Sequence, residues 1–151
     1  MRYTSNMASF KIQVSKDYLI FCAAHFVTYD GVCEPLHGHN YRASVTLEGS
    51  TQDDHYVYNF VPLKRLMRAL TDQLDHRTLL PDSNPHFTIT HGNGEVTIDV
   101  GDRLYMLPEA DVLILPIPNT TAEMLAKYLA GQVREKLGDI PNLIACEIEV
   151  A

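Results

Sequence analysis

Twice between residues 8 and 50 the apolar side chains fall on every second position. Phe10, Ile12 and Val14 alternate with Lys11, Gln13 and Ser15, and Tyr41, Ala43, Val45 and Leu47 alternate up to Glu48-Gly49-Ser50. A period of two puts the apolar residues of a pleated strand on one face, so this stretch is committed to half-buried strands. Tyr18 to His25 continues the first strand in extended character. Asp30-Gly31 and Pro35 then punctuate Phe26 to Leu36 as a loop, giving an antiparallel pair joined by a substantial connection. From Val61 the period lengthens: Leu63, Leu66, Met67, Leu70 and Leu74 share one helical face, opposite Lys64, Arg65, Arg68 and Asp72.

Beyond Leu74, Phe87 to Thr90 and Glu95 to Val100 flank His91-Gly92-Asn93-Gly94, and Arg103 to Leu107 follows Gly101-Asp102. Asn-Gly favours the positive backbone angles of a tight hairpin, so the segment reads as a small hairpin or three-strand meander. Asp111 to Pro116 reads as another short strand. Thr121 to Leu137 reads as a second amphipathic helix with Leu125, Leu129, Val133 and Leu137 inward and Gly138 at its stop, and Leu143 to Val150 as a closing strand. Strands and helices in this order, without repeat or linker, suit one α+β domain over 1–151: an antiparallel sheet with helices on one face, preceded by a polar leader over residues 1–7.

The chain has 151 residues, 46% of them hydrophobic, which excludes a disordered tail or a bare peptide ligand. Twelve Lys and Arg against 19 Asp and Glu leave a formal charge of -7, which argues against nucleic acid or a polybasic membrane anchor as partner. The longest apolar stretch, Tyr18 to Val27, is about half of a membrane span and contains a histidine. Three cysteines make no disulfide framework and no signal peptide opens the chain, so the cytoplasm is the expected compartment.

An acidic chain with seven histidines, three of them between His25 and His39, calls for a chemical reason. His37 and His39 lie two apart at the start of a strand, which projects both imidazoles to one face. His25 ends the preceding antiparallel strand and can add a third nitrogen from the same direction. A lone His-X-His is most often two ordinary histidines; a third on the neighbouring strand changes that balance. Three histidines with an open fourth position describe a catalytic zinc site rather than a structural one. Gly38 between them suggests a close approach from the opposite face. Cys33, beside Glu34 on the polar loop, is placed to act as base or nucleophile near a cation, whereas Cys22 and Cys146 in strand patterns read as small core residues. Asp75-His76 pairs a carboxylate with an imidazole, as a proton relay does, and equally suits a helix end.

Phe21-Cys22-Ala23-Ala24-His25, Cys33-X-X-X-His37-Gly38-His39-Asn40-Tyr41, Leu74-Asp75-His76 and Thr121-Ala122-Glu123 together resemble the 6-pyruvoyl-tetrahydropterin synthase and 6-carboxytetrahydropterin synthase family, over about residues 8 to 150. The resemblance implies a T-fold, or tunnelling fold: an antiparallel four-stranded sheet with two helices on one face, in trimers or hexamers with active sites between subunits. It implies zinc on His25, His37 and His39, Cys33 as catalytic base, and His76 with Asp75 as its relay. It implies pterin contacts from Glu123 with Thr120 and Thr121, although Thr120-X-X-Glu123 also reads as a capping box. The implied reaction is triphosphate elimination from a small-molecule pterin, 7,8-dihydroneopterin triphosphate.

The three-residue gap between Cys33 and His37 is similar to the bacterial queuosine-pathway branch, whose product is 6-carboxytetrahydropterin. Glu34 resembles variants that form 6-hydroxymethyl-dihydropterin for folate. The same resemblance also accommodates formation of 6-pyruvoyl-tetrahydropterin, or noncatalytic binding of a pterin or purine. Asn84 to Leu115 is long for the family and has no role assigned by the resemblance. The family's pterin-gripping glutamate on the last strand is expected one position after Ala151, as if the sequence were cut short, with Glu147 or Glu149 as stand-ins after a register shift.

Overall fold

Strand β1 (Phe10–His25) and strand β4 (His37–Gly49) form the antiparallel pair that the alternation implies, in the register Val14↔Val45, Phe21↔Tyr41 and His25↔His37. These positions belong to a computed structural model that describes residues 8–151; the polar leader expected over residues 1–7 lies outside the described residues. The loop between the two strands holds a two-pair hairpin of β2 (Thr28–Tyr29) and β3 (Val32–Cys33). Helix α1 (Phe60–Leu74) starts where the Asn59 side chain accepts the Val61 N–H at 2.9 Å, satisfying one of the first-turn donors.

Strand β5 (Arg77–Pro81) follows and pairs parallel to β1 through Ala23↔Arg77 and His25↔Leu79. Then come β6 (Thr88–Gly92), β7 (Glu95–Asp99) and β8 (Leu104–Pro108), the expected meander, with Asn93 and Gly94 at positive φ in its first turn. Strand β9 (Val112–Leu115) returns to pair parallel to β5. Helix α2 (Ala122–Leu137) and strand β10 (Leu143–Val150) complete the chain, β10 pairing antiparallel to β4 with Ile148 opposite Val45. The main sheet therefore runs β10-β4-β1-β5-β9. Its first three strands are the expected antiparallel sheet; β5 and β9 extend it in parallel, making five strands rather than four. β5 escaped the alternation because Thr78, Leu79, Leu80 and Pro81 are all buried, and a strand covered on both faces reads as a continuous run.

Both helices cover one face. Val14, Phe21, Val45 and Leu47 from the sheet share a core with Leu63, Met67 and Leu74 of α1 and Leu125, Leu129 and Val133 of α2. A second core joins the meander to the rest: Val96 and Ile98 of β7 pack with Phe26, Leu80 and Val112, and Cys33, Leu36 and Tyr105 lie against them. Among the described residues no helix is long and apolar enough to cross a membrane.

Two expectations need correction. Cys22 and Cys146 are exposed rather than core. Cys22 alternates with the buried Phe21 and Ala23, and Cys146, although opposite Leu47, stands on the edge strand β10. The capping box also fails: the N-cap of α2 is Thr121, whose hydroxyl accepts the Met124 N–H at 3.3 Å, which puts Glu123 one position too early to reciprocate. Thr120 lies one residue before the N-cap, with its hydroxyl turned to the Phe26 carbonyl, to which it donates at 2.5 Å.

Candidate metal centre

The β1–β4 register sets Phe21 opposite Tyr41, Ala23 opposite His39 and His25 opposite His37, all on the helix-covered face. The Phe21 and Tyr41 rings stack with centroids 5.1 Å apart inside the core, and the histidines follow at the end where that core opens. One ring nitrogen from each of His25, His37 and His39 lies within 4.8 Å of the others, with His25 buried, His37 half-buried and His39 exposed. The sheet thus brings together the three residues that the spacing singled out.

Hydrogen bonds fix two of these rings. His25 Nδ1 is 2.7 Å from the Thr120 carbonyl and His37 Nδ1 is 2.8 Å from the Pro35 carbonyl. A carbonyl only accepts, so each Nδ1 carries the proton and each Nε2 presents a lone pair. Those two Nε2 atoms face each other at 3.1 Å. Two lone pairs at that distance repel unless a cation lies between them. Burial, with the neighbouring His37 and His39, pushes His25 below its ordinary pKa against the bond to Thr120, so a proton is a poor bridge. A divalent metal fits better: three converging imidazoles, two of them with the outer nitrogen held by a backbone carbonyl, match the usual arrangement around zinc. The Tyr41 hydroxyl, 3.1 Å from His25 Nε2, completes the wall, and burial pushes its own pKa up to about 12.

The loop after Leu115 is strapped under this site. Asn119 Nδ2 donates to the Thr28 carbonyl at 2.8 Å, and Asn84 Nδ2 donates to the Thr28 hydroxyl at 2.8 Å and the Pro118 carbonyl at 2.9 Å. Together with the Thr120 bond to Phe26, these hold the carbonyl that orients His25. Thr120 is fully buried. It lies beneath His25 and lines neither of the cavities beside the histidines. Neither Tyr41 nor the Asn119 strap was singled out as functional from the sequence; the alternation beyond His39 is the one signal that puts Tyr41 on the histidine face.

Cavities open on two sides of the histidines. One of about 500 Å³ is lined by Tyr29, Val32, Cys33, Glu34, Pro35 and His37. The other, about 360 Å³, is lined by His25, Val27, His39, Asn40, Tyr41, Thr121, Ala122 and Ala151. Cys33 and Glu34 therefore share a cavity with His37, and Glu34 Oε2 stands 3.7 Å from His37 Nε2. Burial pushes the Cys33 thiol up, and the Arg103 guanidinium is the main group opposing it. Glu123 is exposed on the first turn of α2 and does not line either cavity.

Asp75 and His76 are brought to each other and to β1, not to Cys33. The Asp75 carboxylate accepts the Cys22 N–H at 2.7 Å and stands 2.9 Å from His76 Nδ1, while the His76 N–H donates to the Cys22 carbonyl at 2.6 Å. The Cys22 bond, with His76, lowers the Asp75 pKa. Among the described residues no hydrogen bond or ion pair joins this pair to Cys33. The β10 register turns Glu147 and Glu149 away from the histidine face of their own chain: Glu147 lies opposite Thr46 and reaches Lys11 at 4.0 Å, and Glu149 lies opposite Ser44, between the core-facing Ile148 and Val150. Ala151 exchanges both backbone hydrogen bonds with Arg42, at 2.7 and 3.0 Å, and so reaches the cavity at His25.

Fold and site together define an α+β protein whose sheet presents a three-histidine centre fitted to a divalent metal. The chain belongs to the 6-pyruvoyl tetrahydropterin synthase family, whose model matches residues 13–151, and its fold is the T-fold of that family. It is 35% identical over 147 residues to the 6-carboxy-5,6,7,8-tetrahydropterin synthase of Bacillus subtilis, covering 95% of this chain and 80% of that one. It is 33% identical over 123 residues to a protein of Methanocaldococcus jannaschii that bears the same name provisionally, covering 81% and 76%. The crystal structure of Plasmodium vivax 6-pyruvoyl tetrahydropterin synthase superposes with a TM-score of 0.90 at 31% identity, covering 95% of this chain and 91% of that one. A variant of that enzyme, in which a glutamate described as a catalytic residue is replaced by alanine, matches with a TM-score of 0.89.

Proposed function

We propose that the chain is a zinc-dependent pterin synthase, a carbon–oxygen lyase that converts 7,8-dihydroneopterin triphosphate to 6-carboxytetrahydropterin. The observation that carries this reading is the convergence of three imidazoles on one point beside the Cys33-Glu34 loop, in a chain 35% identical to a relative of that name. His25, His37 and His39 hold the zinc, which supplies Lewis acidity toward the substrate's side-chain oxygens. Cys33, as thiolate, takes the carbon-bound proton next to them and the triphosphate is eliminated; water then cleaves the carbon–carbon bond of the remaining three-carbon side chain, so that one carbon stays as the carboxylate and the outer two leave as acetaldehyde. Thr121, backed by the buried Thr120, contacts the pterin in the cavity at His25, and Glu123, which lines neither cavity of its own chain, contacts a pterin held against a neighbouring subunit.

Asp75 and His76 serve as the proton relay of a neighbouring subunit's site. On this reading the protein is a homo-oligomer, trimer or hexamer, of one domain per chain with sites shared between chains; that Asp75 and His76 bond each other and Cys22 rather than Cys33 of their own chain is in keeping with it. The cytoplasm is the proposed compartment. Analysis of purified protein should find about one zinc per chain, and Cys33→Ala should lose turnover while keeping the metal; zinc-free active protein or an active Cys33→Ala rejects the proposal.

Glu34 supports a second reading. Its carboxylate lies 3.7 Å from His37, and a glutamate is the named catalytic residue of the Plasmodium vivax relative. On this reading some substrate is cleaved to 6-hydroxymethyl-dihydropterin. Glu34→Ala should then remove that product and leave the carboxylated one; an unchanged product ratio rejects it.

A further inference from the structure

We propose that Arg103, delivered by the meander between β5 and β9, is a positioning residue for Cys33. The proposal rests on the reading of Cys33 as the proton-abstracting group. Arg103 stands at the β7–β8 turn, and its Nη2 donates to the Cys33 carbonyl at 2.6 Å across 70 residues of sequence. The same guanidinium meets the Tyr105 hydroxyl at 3.3 Å through Nη1 and Asp102 Oδ1 at 3.3 Å through Nε. The Tyr105 ring packs edge-on against Phe26, the residue after His25, with centroids 5.0 Å apart. A rigid planar fork thus ties the cysteine loop to a sheet that is itself packed next to the metal centre.

The loop needs this support. The β2–β3 hairpin that carries Cys33 has two residue pairs, Thr28↔Cys33 and Tyr29↔Val32, and Tyr29 and Val32 are each 52% exposed. So short a hairpin does not hold its own shape in water. It is fastened by the Glu34 N–H to the Val27 carbonyl at 2.9 Å, by Arg103, and by the packing of Cys33 and Leu36 against the second core, to which Val96 and Ile98 of the meander belong. The long segment from Asn84 to Leu115 thereby acquires a role: it floors and clamps the loop that presents the thiol. Charge acts in the same direction. Asp102 and Glu34 both disfavour a Cys33 thiolate, burial disfavours it further, and Arg103 is the opposing cation.

The test uses the zinc-loaded full-length protein with Cys22 and Cys146 changed to Ser, so that iodoacetamide reports on Cys33 alone. Arg103→Gln should melt near the parent temperature and lower kcat about 10- to 100-fold with little change in KM, as expected for a misplaced reacting group. The pH midpoint of Cys33 alkylation should rise by about one unit. Arg103→Lys, which keeps the charge and loses the fork, should restore the alkylation midpoint and only part of kcat. If Arg103→Gln fails to fold, Arg103→Lys is read alone, and a parental kcat overturns the proposal. So does an Arg103→Gln protein with unchanged kcat and alkylation profile while Cys33→Ala is inactive. An active Cys33→Ala instead overturns the underlying catalytic reading, so the two failures are told apart.

Discussion

Replacing Gly38 by alanine should weaken the metal centre without touching a ligand. Gly38 lies opposite Ala24, between the His25↔His37 and Ala23↔His39 pairs. A Cβ built there would sit 3.1 Å from the Ala23 carbonyl oxygen, with the Ala23 carbonyl carbon and Ala24 Cα at 3.6 Å. The obstacle is backbone, and β1 is held on both sides at this point, by β4 and by β5 through Ala23↔Arg77 and Ala24↔Thr78. The atoms that approach Gly38 thus belong to its own sheet partner, and relief requires the strands to part by a few tenths of an ångström. Metal sites tolerate about 0.2 Å in ligand distance, and His37 and His39 ride on the displaced segment. Zinc affinity should fall about 10- to 100-fold, the range seen when groups supporting a ligand are disturbed, which is about 1.4–2.8 kcal/mol. Competition against a chromophoric chelator measures this directly. Gly92→Ala, where an added Cβ meets nothing within 4 Å, is the control and should leave affinity unchanged. Gly38→Ala binding zinc within about twofold of the parent would refute the reasoning, since the threshold is far below the expected loss.

Other outcomes follow from the same structure. Gly131 lies inside α2 with open space around an added Cβ, so Gly131→Ala should stabilise the fold by up to about 1 kcal/mol in thermal melts; a lower melting temperature would contradict this. Leu129 is fully buried between helix and sheet, and Leu129→Ala should cost about 2–5 kcal/mol in urea unfolding. Asp75 has a lowered pKa, so its charged form contributes stability that is present above the ordinary value of 3.8 and is lost as pH falls through the folded-state value. Asp75→Asn should therefore be less stable than the parent at pH 7, and the gap should close as pH falls below about 4; a pH-independent gap contradicts the hydrogen-bond assignment.

What the sequence showed depended on whether one face of an element meets water. β1, β4, α1 and α2 each alternate between solvent and core, and their boundaries were readable to within a few residues. The three histidines were readable because strand geometry alone puts residues 25, 37 and 39 on one face. β5 has no such alternation and was missed. The cap of α2 was misplaced by one residue because Thr120 and Thr121 are alike in sequence, and only the folded chain turns the Thr120 hydroxyl to the Phe26 carbonyl and the Thr121 hydroxyl to the Met124 N–H. Arg103 left no local trace: its contact with Cys33 exists only once the meander folds back over the second core.

The proposed activity is tested most directly by incubating the zinc-loaded chain with 7,8-dihydroneopterin triphosphate and identifying the products by mass. The expected result is 6-carboxytetrahydropterin together with released acetaldehyde and triphosphate, all lost in Cys33→Ala. Substrate recovered intact from protein that carries its zinc would contradict the assignment.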